Sequence, residues 1–260
     1  MRIDLRERSA LVTGSTAGIG YATTLGLAES GARVIVNGRE PDRVHEAAKT
    51  LREATGNDEV TGITADLGTA EGCARAIEEA PDVDVLVNNA GVFGPQPFAQ
   101  IPDEEWQRFF DVNVMSGVRL ARHHVPRMVA RGWGRVVFVS SESAQQIPAE
   151  MVHYGATKTA QVGIAESYPA SGVTVNSVLP GPTRSEGIQA FMGSLAEQQG
   201  VSLEQFEADF IANERPASVI RRLSTPEEVA AMIMFVCSEQ ASSVTGSALR
   251  VDGGVDRSVF

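Results

Sequence analysis

Short apolar runs alternate with helix-length segments along the whole chain, and this alternation restricts the possible folds more than any other feature. Val83–Val87 and Val136–Val139 are mostly apolar on both faces of a strand. Such strands are typical of a parallel sheet covered by helices on both sides. We therefore predict an α/β fold, a Rossmann-like, doubly wound, mostly parallel seven-stranded sheet with helices on both faces. The predicted strands are Ala10–Thr13, Arg33–Asn37, Val60–Thr64, Val83–Asn88, Arg135–Ser140, Thr174–Leu179 and Ser247–Val251.

The segments between the strands are long enough for crossover helices. Pro41, Pro102 and Pro226 lie near predicted helix starts, where proline is tolerated, and Thr225 with Glu228 forms a capping-box pattern. The predicted helices are Ile19–Ser30, Pro41–Ala54, Thr69–Ala80, Pro102–Arg131, Tyr154–Tyr168 and Pro226–Glu239. No shift in composition marks a second domain, so residues 1–260 are predicted to form one domain. An inserted helical segment, about residues 182–216, is expected to cover the substrate as a flap.

The composition limits the kinds of molecule that this protein is expected to bind. With 260 residues, 43% of them hydrophobic, the chain can bury the core of one large domain. A net charge of −11 argues against nucleic acid or an anionic membrane as the main partner, while leaving room for a local phosphate site. Cys73 and Cys237 lack metal-ligand spacing and are expected to be buried free thiols, so no metal is predicted. The absence of a long apolar run or a signal-peptide core predicts a cytoplasmic protein.

A glycine-rich loop follows the first predicted strand and opens the first helix. Thr13–Gly20 has the pattern G-x3-G-x-G, in which glycines let the backbone approach a pyrophosphate and the helix start points N–H groups at its charge. A tight strand-to-helix turn that merely needs glycine is the alternative. The cofactor-binding residues predicted here are Gly14, Ser15, Thr16, Gly18, Ile19 and Gly20.

The end of the second strand bears on the choice of cofactor. A carboxylate there would bind a ribose diol and repel a 2′-phosphate, but positions 37 and 38 are Asn37 and Gly38. Arg39 could pair with a phosphate, and Ser15 and Thr16 could add hydroxyl donors, which favours NADP over NAD. Glu40 weakens that interpretation, and Arg39 could also be an ordinary solvated loop residue.

Three residues around the fifth strand and the following helix indicate proton transfer. Tyr154 and Lys158 are four residues apart and share one helix face. A phenol with a pKa near ~10 carries protons poorly at neutral pH unless a cation such as Lys158 stabilises its anion. Ser141 ends the preceding strand and could hold a carbonyl or alcohol oxygen beside the phenol, and Ser140 is its rival for that role.

In combination, these motifs resemble the short-chain dehydrogenase/reductase family over essentially the whole chain. The order and spacing of the set are far more specific than any single member. The resemblance implies an NAD(P)-dependent oxidoreductase that interconverts a carbonyl and an alcohol by hydride transfer, with NADP favoured and NAD possible. The matching residues are Thr13-Gly14-x3-Gly18-x-Gly20, Asp66, Asn88-Asn89-Ala90-Gly91, Asn113, Ser141, Tyr154-x3-Lys158 and Pro180-Gly181.

The resemblance implies four catalytic roles. Tyr154 would be the general acid in reduction and the base in oxidation. Ser141 would bind the substrate oxygen, and Lys158 would hold the nicotinamide ribose and lower the Tyr154 pKa. Asn113 would hold a water that connects Lys158 to solvent. A mid-helix polar residue that faces water is the alternative for Asn113.

The resemblance also implies cofactor contacts at the ends of several strands. Asn88 and Asn89 could instead tie the sheet together by hydrogen bonds, and both roles can hold at once. The implied contacts are Asp66 and Leu67 for adenine; Asn88, Ala90 and Gly91 for the adenosine ribose; Pro180 and Gly181 behind the nicotinamide; and Thr183 or Ser185 for its carboxamide, besides Tyr154 and Lys158.

One stretch departs from the family pattern. The segment from Lys158 to Gly172 is about one helical turn short, and Pro169 with Ser171-Gly172 is expected to stop the helix early. That helix commonly pairs with its twin in this family, so we expect an altered dimer contact. A homodimer or homotetramer remains the expected assembly, because residues 250–255 resemble a strand that often lies at a subunit interface.

The substrate is left open beyond a small carbonyl or alcohol. His153 could line the site or lie on the surface. A dinucleotide-binding regulator without turnover is the alternative function, although intact Ser141, Tyr154 and Lys158 argue against it. Residues expected from their position to shape the substrate site are Phe93, Glu142, Gln145, Gln146, Ile147, Met151 and the flap.

Overall fold

Seven parallel strands form one sheet in the computed structural model, which describes residues 3–167 and 171–258. The order is β3-β2-β1-β4-β5-β6-β7, so the direction of winding reverses between β1 and β4, as in a doubly wound fold. The predicted fold class is confirmed, and each predicted strand is found within two residues of its predicted ends. The strands are β1 (Ser9–Val12), β2 (Arg33–Gly38), β3 (Val60–Thr64), β4 (Val85–Asn88), β5 (Gly134–Val139), β6 (Val173–Pro180) and β7 (Ala248–Val251).

Nine α-helices connect the strands or extend beyond them in the part of the chain that the structure describes. Pro41 is the first residue of α2, and Thr225 and Glu228 form the predicted capping box at the start of α9. The helices are α1 (Gly18–Glu29), α2 (Pro41–Thr55), α3 (Ala70–Glu79), α4 (Asp103–Phe110), α5 (Ser116–Arg131), α6 (Val152–Ser167), α7 (Glu186–Gln199), α8 (Leu203–Glu214) and α9 (Pro226–Cys237). The predicted helix end at Tyr168 and the predicted breaker Pro169 lie outside the described residues.

The sheet has a hydrophobic core on each face. Ala10 and Val12 of β1 pack with residues of α1, α2 and α9, whereas Leu11 between them packs with residues of α3, α5 and α6. Because successive strand residues point to opposite faces, strands covered on both sides must be apolar throughout. Cys237 lies in the first core and Cys73 in the second, which confirms the predicted buried free thiols.

The single long helix predicted over Pro102–Arg131 is wrong. A π-helical turn, Asp111–Met115, separates α4 from α5. Asn113 in this turn is buried and bonded to neighbouring elements through both its side chain and its carbonyl oxygen, described below. Turns of this kind accommodate one additional residue and are frequent at functional sites.

The segment predicted as a flap is helical. It consists of α7 and α8, which we call the lid. Met192, Ile211 and Leu223 form a small hydrophobic cluster of their own beneath these helices. Within residues 3–167 and 171–258, none of the helices is both long and apolar enough to cross a bilayer.

Candidate active site

Two adjoining cavities lie along the edge of the sheet where the strands end. The larger, about 370 Å³, lies between the ends of β4, β5 and β6 and the lid. The smaller, about 270 Å³, lies over the ends of β1, β2 and β3. Asn89, Gly91 and Val92 line both, so an elongated molecule can lie across the two. This position, at the carboxyl ends of the strands beside the reversal of winding, is where doubly wound folds bind ligands.

The glycine loop has a backbone that other residues would disturb. Gly14 and Gly18 have positive φ angles, 60° and 57°. A Cβ on Gly14 would lie 2.9 Å from Ala90 Cα, and one on Gly20 would lie 2.6 Å from the Asn89 side chain. The loop can therefore pass close to a ligand and turn directly into α1, where free N–H groups favour an anion. This cradle fits the pyrophosphate of a dinucleotide.

Ser15 does not offer its hydroxyl to the cavity, which corrects the prediction of a side-chain contact. Its Oγ donates to Val12 O at 2.7 Å and accepts from Asn37 N at 3.0 Å. The side chain is fully buried, and it ties the glycine loop to β2. Thr16, by contrast, lines the smaller cavity.

Most of the predicted cofactor residues line one of the two cavities. Ser15, Gly18, Gly20 and Asn88 do not. Asn88 is buried, and its carboxamide has no hydrogen-bond partner within the described residues. Asn89 ties the sheet together instead, donating to Thr13 O and Gly14 O, both at 2.9 Å. The predicted residues on the smaller cavity are Gly14, Thr16, Arg39, Asp66, Leu67, Ala90 and Gly91, and those on the larger are Ile19, Gly91, Tyr154, Lys158, Pro180, Gly181, Thr183 and Ser185.

Two arginines lie at the far end of the smaller cavity. Arg39 is exposed there, as expected, and Glu40 lines the same cavity. Arg43, which sequence reasoning missed, also lines it, and its Nη2 lies 3.3 Å from Glu186 Oε2 at the start of the lid. This end of the cavity therefore has a second guanidinium that the sequence motif did not indicate, already paired with a carboxylate.

Tyr154 and Ser141 meet on the wall of the larger cavity. Ser141 follows β5, and Tyr154 lies in the first turn of α6. Burial raises the pKa of Tyr154 above its ordinary value, the nearby Glu142 carboxylate raises it further, and a hydrogen bond with Ser141 partly offsets both. Ser140 Oγ instead donates to Lys158 O at 2.8 Å, so Ser141 rather than Ser140 faces the phenol.

Lys158 lies one helical turn after Tyr154, and its side chain is buried. Its Nζ donates to Val139 O at 2.9 Å and to Gln161 Oε1 at 3.3 Å, and it lies 5.5 Å from the centre of the Tyr154 ring. Burial lowers the pKa of Lys158 to about 7. The pKa of Tyr154 in this structure follows burial, Ser141 and Glu142, and Lys158 is not among the groups that shift it.

Asn113 holds the loop after β4 and α6 together. Its Oδ1 accepts from Val92 N at 2.7 Å, and its Nδ2 donates to Val92 O and Thr157 Oγ1, both at 3.0 Å. Its carbonyl oxygen accepts from Gln161 Nε2. The buried Gln161 side chain thus bridges Asn113 and Lys158 directly. Its position one turn after Lys158 was the signal that sequence reasoning missed.

Only some of the residues expected to shape the substrate site line the larger cavity. Phe93, Glu142 and Met151 line the larger cavity, whereas Gln146 donates to Asp256 near the C-terminal end. Gln145 and Ile147 are not among the residues that line either cavity.

His153 adopts neither of its expected positions. It is buried outside both cavities, with its ring centre 4.1 Å from that of Phe109, so it packs against α4. Burial lowers its pKa.

Comparisons with known proteins agree with this geometry. The short chain dehydrogenase family matches residues 8–193. An uncharacterized oxidoreductase of Bacillus subtilis, YvaG, is 45% identical over the full length of both chains. These matches place the chain among oxidoreductases.

Solved structures agree as well. The L-sorbose reductase of Gluconobacter frateurii, complexed with NADPH and L-sorbose, is 32% identical with a TM-score of 0.93 over the full length of both chains. An actinorhodin polyketide ketoreductase variant with NADPH is 31% identical with a TM-score of 0.86, covering 96% of this chain and 98% of that one. The prediction of a dinucleotide cofactor agrees with both neighbours. The chain belongs to the short-chain dehydrogenase/reductase family.

Proposed function

We propose that the protein is an NADP(H)-dependent oxidoreductase that interconverts a carbonyl and a primary or secondary alcohol. The observation that carries this proposal is the convergence of Ser141, Tyr154 and Lys158 on one cavity wall that adjoins the glycine-lined cavity. A bound nicotinamide dinucleotide supplies or accepts the hydride. The protein supplies the orientation of the substrate and the proton.

Tyr154 gives its proton to the carbonyl oxygen in reduction and takes one from the alcohol in oxidation. Ser141 holds that oxygen beside the phenol, where its hydrogen bond with Tyr154 already lies. Lys158 holds the ribose of the cofactor. Asn113 acts as a positioning residue, because its carboxamide fixes the loop after β4 against α6.

The cofactor assignment extends across both cavities. Thr183 and Ser185 both line the larger cavity. Thr183 Oγ1 donates to Gly181 O at 2.9 Å, so it can only accept from a carboxamide, whereas Ser185 Oγ accepts from Ile188 N at 3.4 Å and can still donate to one. The remaining proposed contacts are Gly14, Thr16, Gly18, Ile19, Gly20, the main chain of Ser15, Asp66, Leu67, Ala90, Gly91, Pro180 and Gly181.

NADP is preferred over NAD on electrostatic grounds. Arg39 and Arg43 both line the end of the smaller cavity, and Asn37 occupies the strand end where a carboxylate would repel a 2′-phosphate. Glu40 and Asp66 line the same cavity and Glu186 pairs with Arg43, so the preference rests mainly on Arg39 and on the missing carboxylate at position 37. The NADPH bound by the sorbose reductase and the ketoreductase supports the same preference.

The resting protonation state of Tyr154 matches reduction. Burial raises the Tyr154 pKa, so the phenol carries the proton that reduction of a ketone or aldehyde requires. Oxidation of an alcohol would require the phenolate instead.

The assembly and location follow the family expectation. We propose a homodimer or homotetramer of one-domain subunits in the cytoplasm, with the lid over the substrate. The short segment between Lys158 and Gly172 would alter the pairing of α6 across the dimer.

Replacing Tyr154 by phenylalanine tests this function. Turnover of a ketone and aldehyde panel, followed by consumption of NADPH and of NADH, should fall by about a hundredfold to ten-thousandfold in Tyr154→Phe, with NADPH affinity within about twofold of the wild type. Tyr21→Phe, a tyrosine on α1 outside the cavity linings, is the matched control and should keep full activity. Undiminished turnover in Tyr154→Phe, or a clear preference for NADH, would contradict the proposal.

A further inference from the structure

A buried carboxylate lies directly beside the proposed catalytic serine. The Glu142 side chain is only 6% exposed. Its Oε2 accepts from Ser141 Oγ at 2.6 Å, from Ser143 N at 2.9 Å and from Ser143 Oγ at 3.2 Å. Its Oε1 accepts from Arg215 Nε at 3.2 Å. An acceptor is therefore fixed within reach of the oxygen that Ser141 would hold.

The number of protons on Ser141 limits what this arrangement can bind. A serine hydroxyl has one proton, and here it goes to Glu142. Ser141 Oγ can still accept from Tyr154, but it cannot at the same time donate to a carbonyl oxygen. A simple ketone, which brings no donor of its own, must take the Ser141 proton away from a buried carboxylate, and such hydrogen bonds to charged groups are among the strong ones.

We propose that Glu142 selects substrates that carry a hydroxyl group on the carbon next to the reacting carbonyl, and vicinal diols in the reverse direction. The substrate hydroxyl donates to Glu142 in place of Ser141, and the Ser141 proton turns to the carbonyl oxygen. Oxygens on adjacent carbons are separated by about one hydrogen-bond length, which matches the contact between Ser141 and Glu142. This inference rests on the proposed reductase function.

The chemical balance of the reaction is unchanged by this selection. The carbonyl carbon would take a hydride from NADPH and the carbonyl oxygen would take the Tyr154 proton, which gives a diol and NADP⁺, and a proton from solvent would restore Tyr154. Glu142 exchanges no proton in the reaction, and the neighbouring hydroxyl keeps its proton. The carboxylate therefore contributes recognition and the direction of the Ser141 hydroxyl, with no net proton transfer.

The segment directly after the lid supplies a cationic partner for Glu142. Arg215 directly follows α8, and its Nη1 donates to Glu214 O at 2.9 Å, which directs the guanidinium toward Glu142. Phe93, Phe191 and Phe210 lie on the surrounding wall of the same cavity. The expected substrate is hydroxylated at the reacting end and apolar beyond it.

Acetoin and its methyl ether form the test pair, because both have an electron-withdrawing oxygen next to the ketone and only acetoin has a hydroxyl to donate. With NADPH, the wild type should prefer acetoin in kcat/KM by about tenfold to a hundredfold, the worth of one hydrogen bond to a charged group. In Glu142→Gln this preference should shrink by about tenfold. Glu214→Gln, the same change of charge next to Arg215, is the control and should keep the preference.

A second variant shows whether the effect of Glu142→Gln comes from a folding defect. The double change Glu142→Leu with Arg215→Leu removes both charges together, and it should reduce both ketones with similar kcat/KM, while NADPH affinity and the melting temperature report an intact fold. Equal losses on both ketones in Glu142→Gln would overturn this inference alone, as would a wild type that reduces other ketones without preferring acetoin. Failure of the wild type to reduce any carbonyl compound would overturn the proposed function together with it.

Discussion

The two cavities are built in different ways, although they meet at Gly91. The smaller is walled mainly by short side chains and main chain at the strand ends, such as Gly14, Gly38 and Ala90. The larger is walled by long side chains from the lid and from the loop before α6, such as Met151 and Phe191. We therefore call the smaller one the backbone cavity and the larger one the side-chain cavity.

The difference determines what each cavity tolerates. The backbone cavity depends on close approaches such as that between Gly14 and Ala90, which leave no space for another atom. The side-chain cavity depends on contacts between distant parts of the chain, such as Glu142 with Arg215, and these can be exchanged without moving the strands. We therefore expect changes in the first cavity to affect the fold and all activity, and changes in the second to affect particular substrates.

The largest expected effect comes from adding one carbon to the glycine loop. Gly14→Ala combines a strained positive φ with a Cβ only 2.9 Å from Ala90 Cα. It should lower the free energy of unfolding by about 2–4 kcal/mol, from strain and overpacking together. NADPH affinity should fall by at least about tenfold, because the loop must move. Urea unfolding and cofactor titration measure the two effects.

Gly56→Ala is the matched control for that change. Gly56 has a similar φ of 66°, but a Cβ there would meet nothing within 4 Å. It should lose only about 1 kcal/mol, from backbone strain alone, with NADPH affinity unchanged. If the two variants behaved alike, the cavity would not depend on close backbone approach, and the contrast between the two regions would be wrong.

The backbone cavity was also the part that sequence reasoning predicted best. Glycines at fixed spacing after a strand, and strands apolar on both faces, follow from local geometry, so the loop, the sheet and its seven strands were confirmed. Side chains were less predictable even there. Ser15 was assigned to the cofactor, but its hydroxyl bonds β1 and β2, since nothing in the sequence shows which way a loop serine points.

The side-chain cavity was predicted only in outline. A helical lid over residues 182–216 followed from its composition, but the contact of Arg215 with Glu142 joins positions 73 residues apart, and no spacing rule predicts it. The π-helical turn at Asn113 and the bridge from Gln161 were missed for a similar reason. Both depend on hydrogen bonds between elements that only the folded sheet brings together.

Gln161 lines neither cavity but bonds both Lys158 and Asn113. Its loss should have an effect of intermediate size. Its Oε1 accepts from the Lys158 ammonium, which stabilises the charged form, so Gln161→Leu should lower the Lys158 pKa further below about 7. If the charged lysine is the active form, kcat/KM for reduction falls as pH rises through that pKa. In Gln161→Leu the fall should begin at lower pH, giving a rate about tenfold below the wild type near pH ~8 and close to it near pH ~5.

A variant with the opposite effect on the Lys158 pKa makes that test more specific. Gln161→Glu places a negative charge beside Lys158, raises the Lys158 pKa, and should move the fall in kcat/KM to higher pH. Two pH–rate profiles that shift in opposite directions would show that Gln161 sets the charge of Lys158. A rate reduced by the same factor at every pH in both variants would mean that Gln161 only supports the fold.

The smallest effect is expected at the end of the backbone cavity, where recognition of the cofactor depends on a side chain. Arg39 is exposed at the end that would hold a 2′-phosphate, so Arg39→Ala should raise KM for NADPH by about fivefold to tenfold and leave KM for NADH unchanged. Arg33→Ala, which removes an exposed arginine from the opposite end of β2, should change neither KM. Arg43→Ala should have a weaker effect than Arg39→Ala, because Glu186 of the lid already pairs with Arg43. An equal rise in KM for both cofactors in Arg39→Ala would show that this arginine supports the loop rather than choosing the cofactor.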